Sequence, residues 1–230
     1  MQLSRRGMIL GGVVAVSGLT AAHAAVKVPR LSNVVLPKAL PENLPQPQLV
    51  DIQPTIIDPA HQLRPEALKA ALAALDRYKD RIPNRDRIYV VDFQAHSSRQ
   101  RMFEVDMQSG DVRAFRTAHG KGSDPEHTGF ARRFSNTPDS YASSVGAYVT
   151  AGAAMGEKHG PNVLLEGLEP TNNEARDREI IVHSADYCEI DYLIQWGKLG
   201  RSYGCFSVSR ADLMALRPAM DGGRLLFAAA

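Results

Sequence analysis

The 230 residues carry 27 Lys or Arg against 25 Asp or Glu, a formal net charge of +2, with 44% hydrophobic residues and two cysteines. That length suits one ordinary domain with added segments, and the composition is globular, which excludes wholesale disorder. Near-neutral charge gives no electrostatic case for nucleic acid or an anionic membrane as a bulk partner, and two cysteines supply neither a disulfide framework nor a four-thiolate zinc site.

The chain opens with Arg5-Arg6, an apolar run from Met8 to Ala22, and then Ala22-His23-Ala24. A basic start, a short apolar stretch and an A-x-A site form a secretory signal peptide over 1–24, with cleavage expected after Ala24. The segment Ser4 to Leu10 also resembles a twin-arginine export signal. The run is short and rich in Gly and Ala for a bilayer span. An exported, periplasmic protein is therefore expected. Cleavage would remove Arg5 and Arg6 and no acid, leaving equal numbers of basic and acidic residues.

Residues 25–60 hold seven of the 14 prolines, from Pro29 to Pro59, and little periodicity. Such a segment favours extended, semi-rigid conformations and reads as a spacer. The globular part is then 61–230. A helix is expected from Pro65 to about Lys79, with Leu68, Ala71, Leu72 and Leu75 on its apolar face. Short β-rich runs follow at Arg87–Phe93, Arg101–Met107, Val112–Ala118, Val145–Thr150, Val163–Leu168, Glu179–His183, Cys205–Val208 and Arg224–Ala228. Gln108-Ser109-Gly110-Asp111 joins two of them as a hairpin signal. Helices are expected over Glu189–Lys198 and Ala211–Met220, the second capped by Ser209. The fold class is mostly β (α+β).

In an oxidising compartment a cysteine is either paired or kept for chemistry. Cys205 follows a glycine-containing turn, Gly200 to Gly204, at the start of a strand, and His183 ends another. A thiolate needs a neighbouring base to form near neutral pH, so Cys with His suits acyl transfer through a thioester. The same residues also fit blander roles: Cys205 as a buried small hydrophobe, or as the partner of Cys188 in a disulfide. A zinc site from His183, Cys188, Cys205 and His119 lacks the close ligand spacing of a chelate loop. There is no G-x-S-x-G elbow, phosphate loop or dinucleotide fingerprint.

The segment from His183-Ser184 through Ser202-Tyr203-Gly204-Cys205 resembles the signature of the YkuD-type L,D-transpeptidases, and more closely that of the murein L,D-transpeptidase catalytic-domain subfamily. Similar blocks are His119-Gly120-Lys121-Gly122, Phe134 to Pro138, Ser143-Ser144-Val145-Gly146, Lys158-His159-Gly160, Gly167 to Pro170 and Gly200 to Cys205. The resemblance implies a β-sandwich-like catalytic domain with a few short helices and no cofactor or metal. Cys205 would attack the amide between diaminopimelate and the terminal D-alanine of a peptidoglycan tetrapeptide stem. His183 would act as base and then acid, its ring oriented by the Ser184 backbone carbonyl. Backbone N–H groups of Tyr203, Gly204 and Cys205 would form an oxyanion hole, where one donor contributes a few kcal/mol. A second stem's amine would resolve the thioester into a cross-link. Water would instead make the chain an L,D-carboxypeptidase, and a Cys188–Cys205 disulfide would make it an inactive wall-binding scaffold. An outer-membrane protein is a further acyl acceptor, and a carbapenem is the expected covalent inhibitor.

Two positions depart from the broad family: Tyr203 stands where histidine is usual, and Ser207 where Arg or Asn often follows. Other positions have two readings each. His119 and His159 line the cleft or fill structural places at strand ends. Ser143 bonds the stem peptide or serves a turn. Arg201 pairs with a substrate carboxylate or ties a loop, and Ser202 belongs to the signature. The stretch Asn172 to Arg178 reads as scaffold, and Tyr187, Tyr192 and Trp196 as residues packing a helix onto the core.

Overall fold

The computed structural model describes Ile56, Asp58 and residues 62–230. The expected signal peptide and nearly all of the proline-rich spacer lie outside the described residues.

Helix α1 (Pro65–Arg77) begins with a proline, whose fixed φ and missing N–H suit a first turn. Its buried stripe is Ala67, Ala71, Ala74 and Leu75. That face is turned slightly from the expected one, because alanines let the backbone lie close to the sheet while Leu68 and Leu72 pack at its margin. Arg64, just before the helix, grips the Asp92 carboxylate with two bonds of 2.7 and 3.0 Å, fixing α1 against the end of the first strand.

The strands are β1 (Arg87–Asp92), β2 (Met102–Asp106), β3 (Val112–Phe115), β4 (His119–Gly120), β5 (Gly146–Gly156), β6 (Gly160–Gly167), β7 (Ile181–Ser184), β8 (Arg201–Ser202), β9 (Phe206–Val208) and β10 (Leu225–Ala229). Eight of them form one sheet in the order β3-β2-β1-β10-β5-β6-β7-β9, and β4 pairs with β8 in a separate ribbon. The mostly-β expectation holds, and the hairpin expected at Gln108–Asp111 joins β2 to β3. The layering comes from a single large sheet with a core on each face. Along β1, Ile88 and Val90 face the α1 side, while Tyr89 and Val91 enter the opposite core with Val182, Phe206 and Val208. Each such fully buried large side chain is worth roughly 1.5–3 kcal/mol of burial. The strands that carry the candidate chemistry, β7 and β9, are thus anchored through their alternate residues.

Two features position the site. First, β5 runs past the expected end at Thr150, through a register shift between Thr150 and Ala153, to Gly156. Gly152 takes φ +103° inside that irregularity. The hairpin it makes with β6 carries the turn at 157–159 to the edge near β7. Second, β7 and β9 pair in parallel, with Val182 opposite Phe206 and His183 opposite Ser207.

Helix α2 (Ile190–Trp196) differs from expectation. It buries none of its residues, and Ile190, Ile194 and Trp196 are exposed. It is a short surface helix ended by Gly197 at φ +66°, and it touches only the small cluster of Ala118, Cys188 and Leu199, through the partly buried Leu193. Helix α3 (Arg210–Met220) packs onto the core through Leu213, Leu216 and Met220, and Ser209 caps it by accepting from the Asp212 N–H at 3.1 Å.

Candidate active site

Beside the β7–β9 edge lies a cleft of about 650 Å³, whose walls include His159, His183, Arg201, Ser202, Tyr203 and Cys205. Residues 22 positions apart line it together because His183 is the next-to-last residue of β7 and β9 starts just after Cys205.

His183 is buried, and its Nδ1 lies 2.9 Å from the Ser184 carbonyl oxygen. A carbonyl can only accept, so Nδ1 carries the hydrogen and Nε2 keeps its lone pair. Nε2 lies 3.0 Å from Ser207 Oγ, which in turn lies 2.9 Å from the Tyr187 hydroxyl. The His159 ring lies against His183 with centroids 4.2 Å apart and the planes tilted by 38°. Burial holds the imidazole down at a pKa of about 4, against the Ser184 bond, and His159 and Lys158 push the same way as burial. The ring is a neutral base at neutral pH.

Cys205 is buried, and its thiol donates to the Glu179 carbonyl at 3.4 Å. Burial raises the thiol above its ordinary value, opposed by the Ile181 N–H facing the sulfur and by the Arg178 and Lys158 cations. In the free protein the thiol and the imidazole are therefore both neutral at neutral pH, and no hydrogen bond joins them. Both cysteines are free. The Cys188–Cys205 disulfide weighed above is absent: Cys188 sits in a separate apolar cluster with Ala118 and Leu199.

The turn that presents Cys205 is held by hydroxyls. Ser202 Oγ accepts from the Gly204 N–H at 3.1 Å and donates to the Cys205 carbonyl at 2.8 Å. Ser143 Oγ donates to the Gly204 carbonyl at 3.2 Å and accepts from the Gly120 N–H at 3.0 Å. Of the three N–H groups expected at an oxyanion, Gly204's is thus turned to Ser202. Gly204 itself has φ +125°, and a Cβ there would lie 2.7 Å from Ile180 Cδ1 and 2.9 Å from the Ala142 oxygen. Only glycine fits.

The remaining expected residues divide. His159 and Arg201 line the cleft, though Arg201 spends Nη1 on the carbonyls of Asp124 and Pro125. Tyr203 is exposed and shares the Lys121 ammonium with Tyr141, each ring 4.3 Å from Nζ. His119 and Ser143 are buried outside the cleft wall. His119 Nδ1 accepts from Arg101 at 2.7 Å and Nε2 faces Asp124 at 3.3 Å, with burial first and Arg101 next holding its pKa down to about 3.

Lys121, Lys158, Arg178, Glu179 and Tyr187 also line the cleft, and none of them is among the site residues expected from the sequence. Lys121 and Lys158 stand inside two of the quoted sequence blocks, which was the available signal. Tyr187 does pack, against the cluster of Ala118, Cys188 and Leu199, and its hydroxyl also reaches Ser207. Arg178 had been read as scaffold. It does tie the 135–144 segment through the Ser135 and Ala142 carbonyls at 2.8 and 2.6 Å, and it places a cation beside Cys205. Four Lys or Arg side chains line the cleft against one carboxylate, Glu179.

Among solved structures, the chain is similar to an L,D-transpeptidase from Mycobacterium smegmatis, with 14% identity over 63% of this chain and a TM-score of 0.38. The match spans 59% of the length of that chain, and a likeness at this level bears no argument. No curated protein matches. The L,D-transpeptidase catalytic-domain family matches over residues 59–229, which takes in the whole sheet, the cleft and both His183 and Cys205. On that match the chain belongs to the L,D-transpeptidase catalytic-domain family.

Proposed function

We propose that the protein is an exported, periplasmic cysteine acyltransferase on peptidoglycan tetrapeptide stems. Cys205 Sγ attacks the carbonyl between diaminopimelate and the terminal D-alanine, and its proton passes to His183 Nε2. Collapse of the tetrahedral intermediate breaks the C–N bond, and His183 returns the proton to the departing D-alanine amine. An acceptor amine then attacks the thioester, loses a proton to His183, and frees the thiolate to be reprotonated. No cofactor takes part.

The observation that carries this reading is the cleft itself: a thiol and a neutral imidazole, brought together by a parallel strand pair, in a wall of four cations and one carboxylate. A stem peptide carries several carboxylates against the single ammonium of its diaminopimelate, a net negative charge. A basic cleft recognises that, in a chain whose cleaved form has no net charge to attract it from afar. The Ser184 carbonyl fixes the tautomer that leaves Nε2 free to act. Acceptors of two kinds fit, another stem or an outer-membrane protein's amine, and a carbapenem would acylate the same sulfur.

The test is incubation of the purified protein with defined tetrapeptide muropeptides and mass spectrometry of the products. Cross-linked dimers with loss of D-alanine support transfer. Tripeptides alone assign L,D-carboxypeptidase activity, the second reading, which uses the same residues. Unchanged substrate, or products that persist undiminished in Cys205→Ala, overturns both.

A further inference from the structure

β9 reads Phe206-Ser207-Val208, with Phe206 and Val208 in the core and Ser207 turned to the other face. Ser207 is completely buried, a place where a hydroxyl costs stability unless both its hydrogen-bonding functions are used. Both are used, on His183 Nε2 at 3.0 Å and on the Tyr187 hydroxyl at 2.9 Å. The backbone gives the chain of three groups little room to move. Ser207's carbonyl accepts from the Ala118 N–H at 2.8 Å and from Thr117 Oγ1 at 3.1 Å. Tyr187's carbonyl accepts from the Gly200 N–H at 2.9 Å. Gly200 is needed there, since a Cβ would stand 2.4 Å from Tyr187 Cβ. The signature glycine at the head of the cysteine loop thus makes the space in which the Tyr187 ring lies.

We propose that Ser207 and Tyr187 are positioning residues for His183, a two-hydroxyl relay that donates to Nε2 when the imidazole is neutral and accepts from it when it is charged. This rests on the reading of Cys205 and His183 as nucleophile and base. In the resting state Tyr187 O–H donates to Ser207 Oγ and Ser207 O–H donates to Nε2. When Nε2 takes the thiol proton, the new N–H donates to Ser207 Oγ. Ser207's own hydrogen then turns to the Tyr187 oxygen, and Tyr187's hydrogen turns to the cleft. No O–H bond breaks; both hydroxyls rotate, and the only proton transferred is the one from sulfur to nitrogen. Burial keeps the Tyr187 phenol well above its ordinary value, so it stays protonated through the working range. A hydrogen bond from an imidazolium is roughly twice as strong as a neutral one, so the relay favours the charged ring and with it the thiolate.

The groups facing His183 from neighbouring segments are His159 and Lys158 on the β5–β6 turn, Arg178 and Glu179 before β7, Cys205 before β9, and Tyr187. Their charges are untouched by Ser207→Ala and Tyr187→Phe, which remove hydroxyls only. The experiment titrates the His183 ring by NMR in the full chain for the wild type, Ser207→Ala and Tyr187→Phe, with steady-state kinetics on a tetrapeptide muropeptide for these and for His183→Asn. The relay requires that the ring titrate at lower pH, by about one unit in Ser207→Ala and less in Tyr187→Phe. It also requires kcat to fall about tenfold in Ser207→Ala with KM within about twofold. Tyr187→Phe keeps the ring under Gly200, so a shift in that variant comes from the hydroxyl and not from packing. If His183→Asn abolishes turnover and neither hydroxyl variant moves the ring titration, the relay is wrong and the base assignment stands. If His183→Asn keeps its turnover, the base assignment falls and takes the relay with it.

Discussion

His183 turns its Nε2 to Ser207 Oγ at 3.0 Å and makes no hydrogen bond to Cys205, whose thiol rests on the Glu179 carbonyl at 3.4 Å. The free protein therefore holds a neutral thiol beside a neutral imidazole, and burial is the largest cause on both sides: it raises the thiol and lowers the ring to about 4. In the proposed reaction the two charges form only when the thiol leaves the Glu179 carbonyl and its proton passes to the ring. At pH 7 Cys205 should be alkylated at least about tenfold more slowly than an exposed thiol, since only the thiolate reacts. Cys188, in its own apolar cluster, should be slower still. Peptide-level mass spectrometry of an iodoacetamide time course checks both rates. Alkylation of Cys205 faster than free cysteine would mean a preformed ion pair and would contradict the geometry.

The cysteine turn depends on one backbone conformation. Gly204 at φ +125° has the Ile180 side chain and the Ala142 carbonyl within 3 Å of where a Cβ would stand. Gly204→Ala should cost about 1–3 kcal/mol in stability through the strained φ alone, and more through the contact with backbone. The turn would also shift the Cys205 sulfur, so activity should fall further than stability. Urea denaturation and muropeptide turnover measured together decide it. A variant with wild-type stability and activity would mean that the turn relaxes freely, against the Ser202 and Ser143 bonds that hold it.

Much of this arrangement was legible before the structure. Eight β-rich runs fall on eight sheet strands because strands buried on both faces leave short apolar runs rich in β-branched and aromatic residues. His183 and Cys205 were legible as members of a signature. The relay was not. Ser207 and His183 are 24 positions apart, and only the parallel β7–β9 register sets them face to face. Tyr187 looked like a packing residue because aromatic side chains near a short helix usually are. Its role depends on Gly200 leaving it room, which is a property of three-dimensional approach. The extension of β5 to Gly156 was hidden for another reason: Ala151 to Gly156 has no β-branched residue, and pairing with β6 overrides weak local propensity. The ribbon of β4 and β8 is two residues long on each side, too short for any period to announce it.

Acid should unfold the protein early, through two histidines. Burial is the largest cause of the low pKa of both, about 4 for His183 and about 3 for His119. In the unfolded chain each would titrate near 6.5, so below that pH the unfolded state takes up protons that the folded state refuses. Stability contributed by the neutral rings is fully present above about pH 6.5 and falls as pH drops toward 4 for His183 and 3 for His119. Each contributes up to about 1.4 kcal/mol per pH unit. Between about pH 6.5 and pH 5, carboxylates contribute little, so urea denaturation there reads the histidines. His119→Gln, which can still accept from Arg101 and donate to Asp124, should remove about half of the slope. An unchanged slope would mean that water reaches the buried ring.

Lys158 acts on His183 and Cys205 with the same sign. Its ammonium pushes the His183 pKa down and the Cys205 pKa down, because a cation disfavours imidazolium and favours thiolate. It also lines the cleft and lies 5.6 Å from the Tyr203 ring centroid, at the mouth where a stem's carboxylates would enter. Lys158→Met keeps the length and removes the charge. The histidine titration should then move up, and the pH of Cys205 alkylation should move up with it, each by a few tenths of a unit to about one unit. KM for a tetrapeptide muropeptide should rise about three- to tenfold, and much of that rise should vanish at high salt, where the wild type loses the same attraction by screening. Lys121→Met, which removes the ammonium shared by Tyr141 and Tyr203, should raise KM in the same way but leave both titrations in place, since Lys121 is not among the groups that shift either one. NMR titration of the His183 ring, alkylation against pH and KM at two salt concentrations separate the two lysines. If both variants move KM and neither moves a titration, Lys158 serves only to bind substrate, and the low pKa of His183 comes from burial and His159.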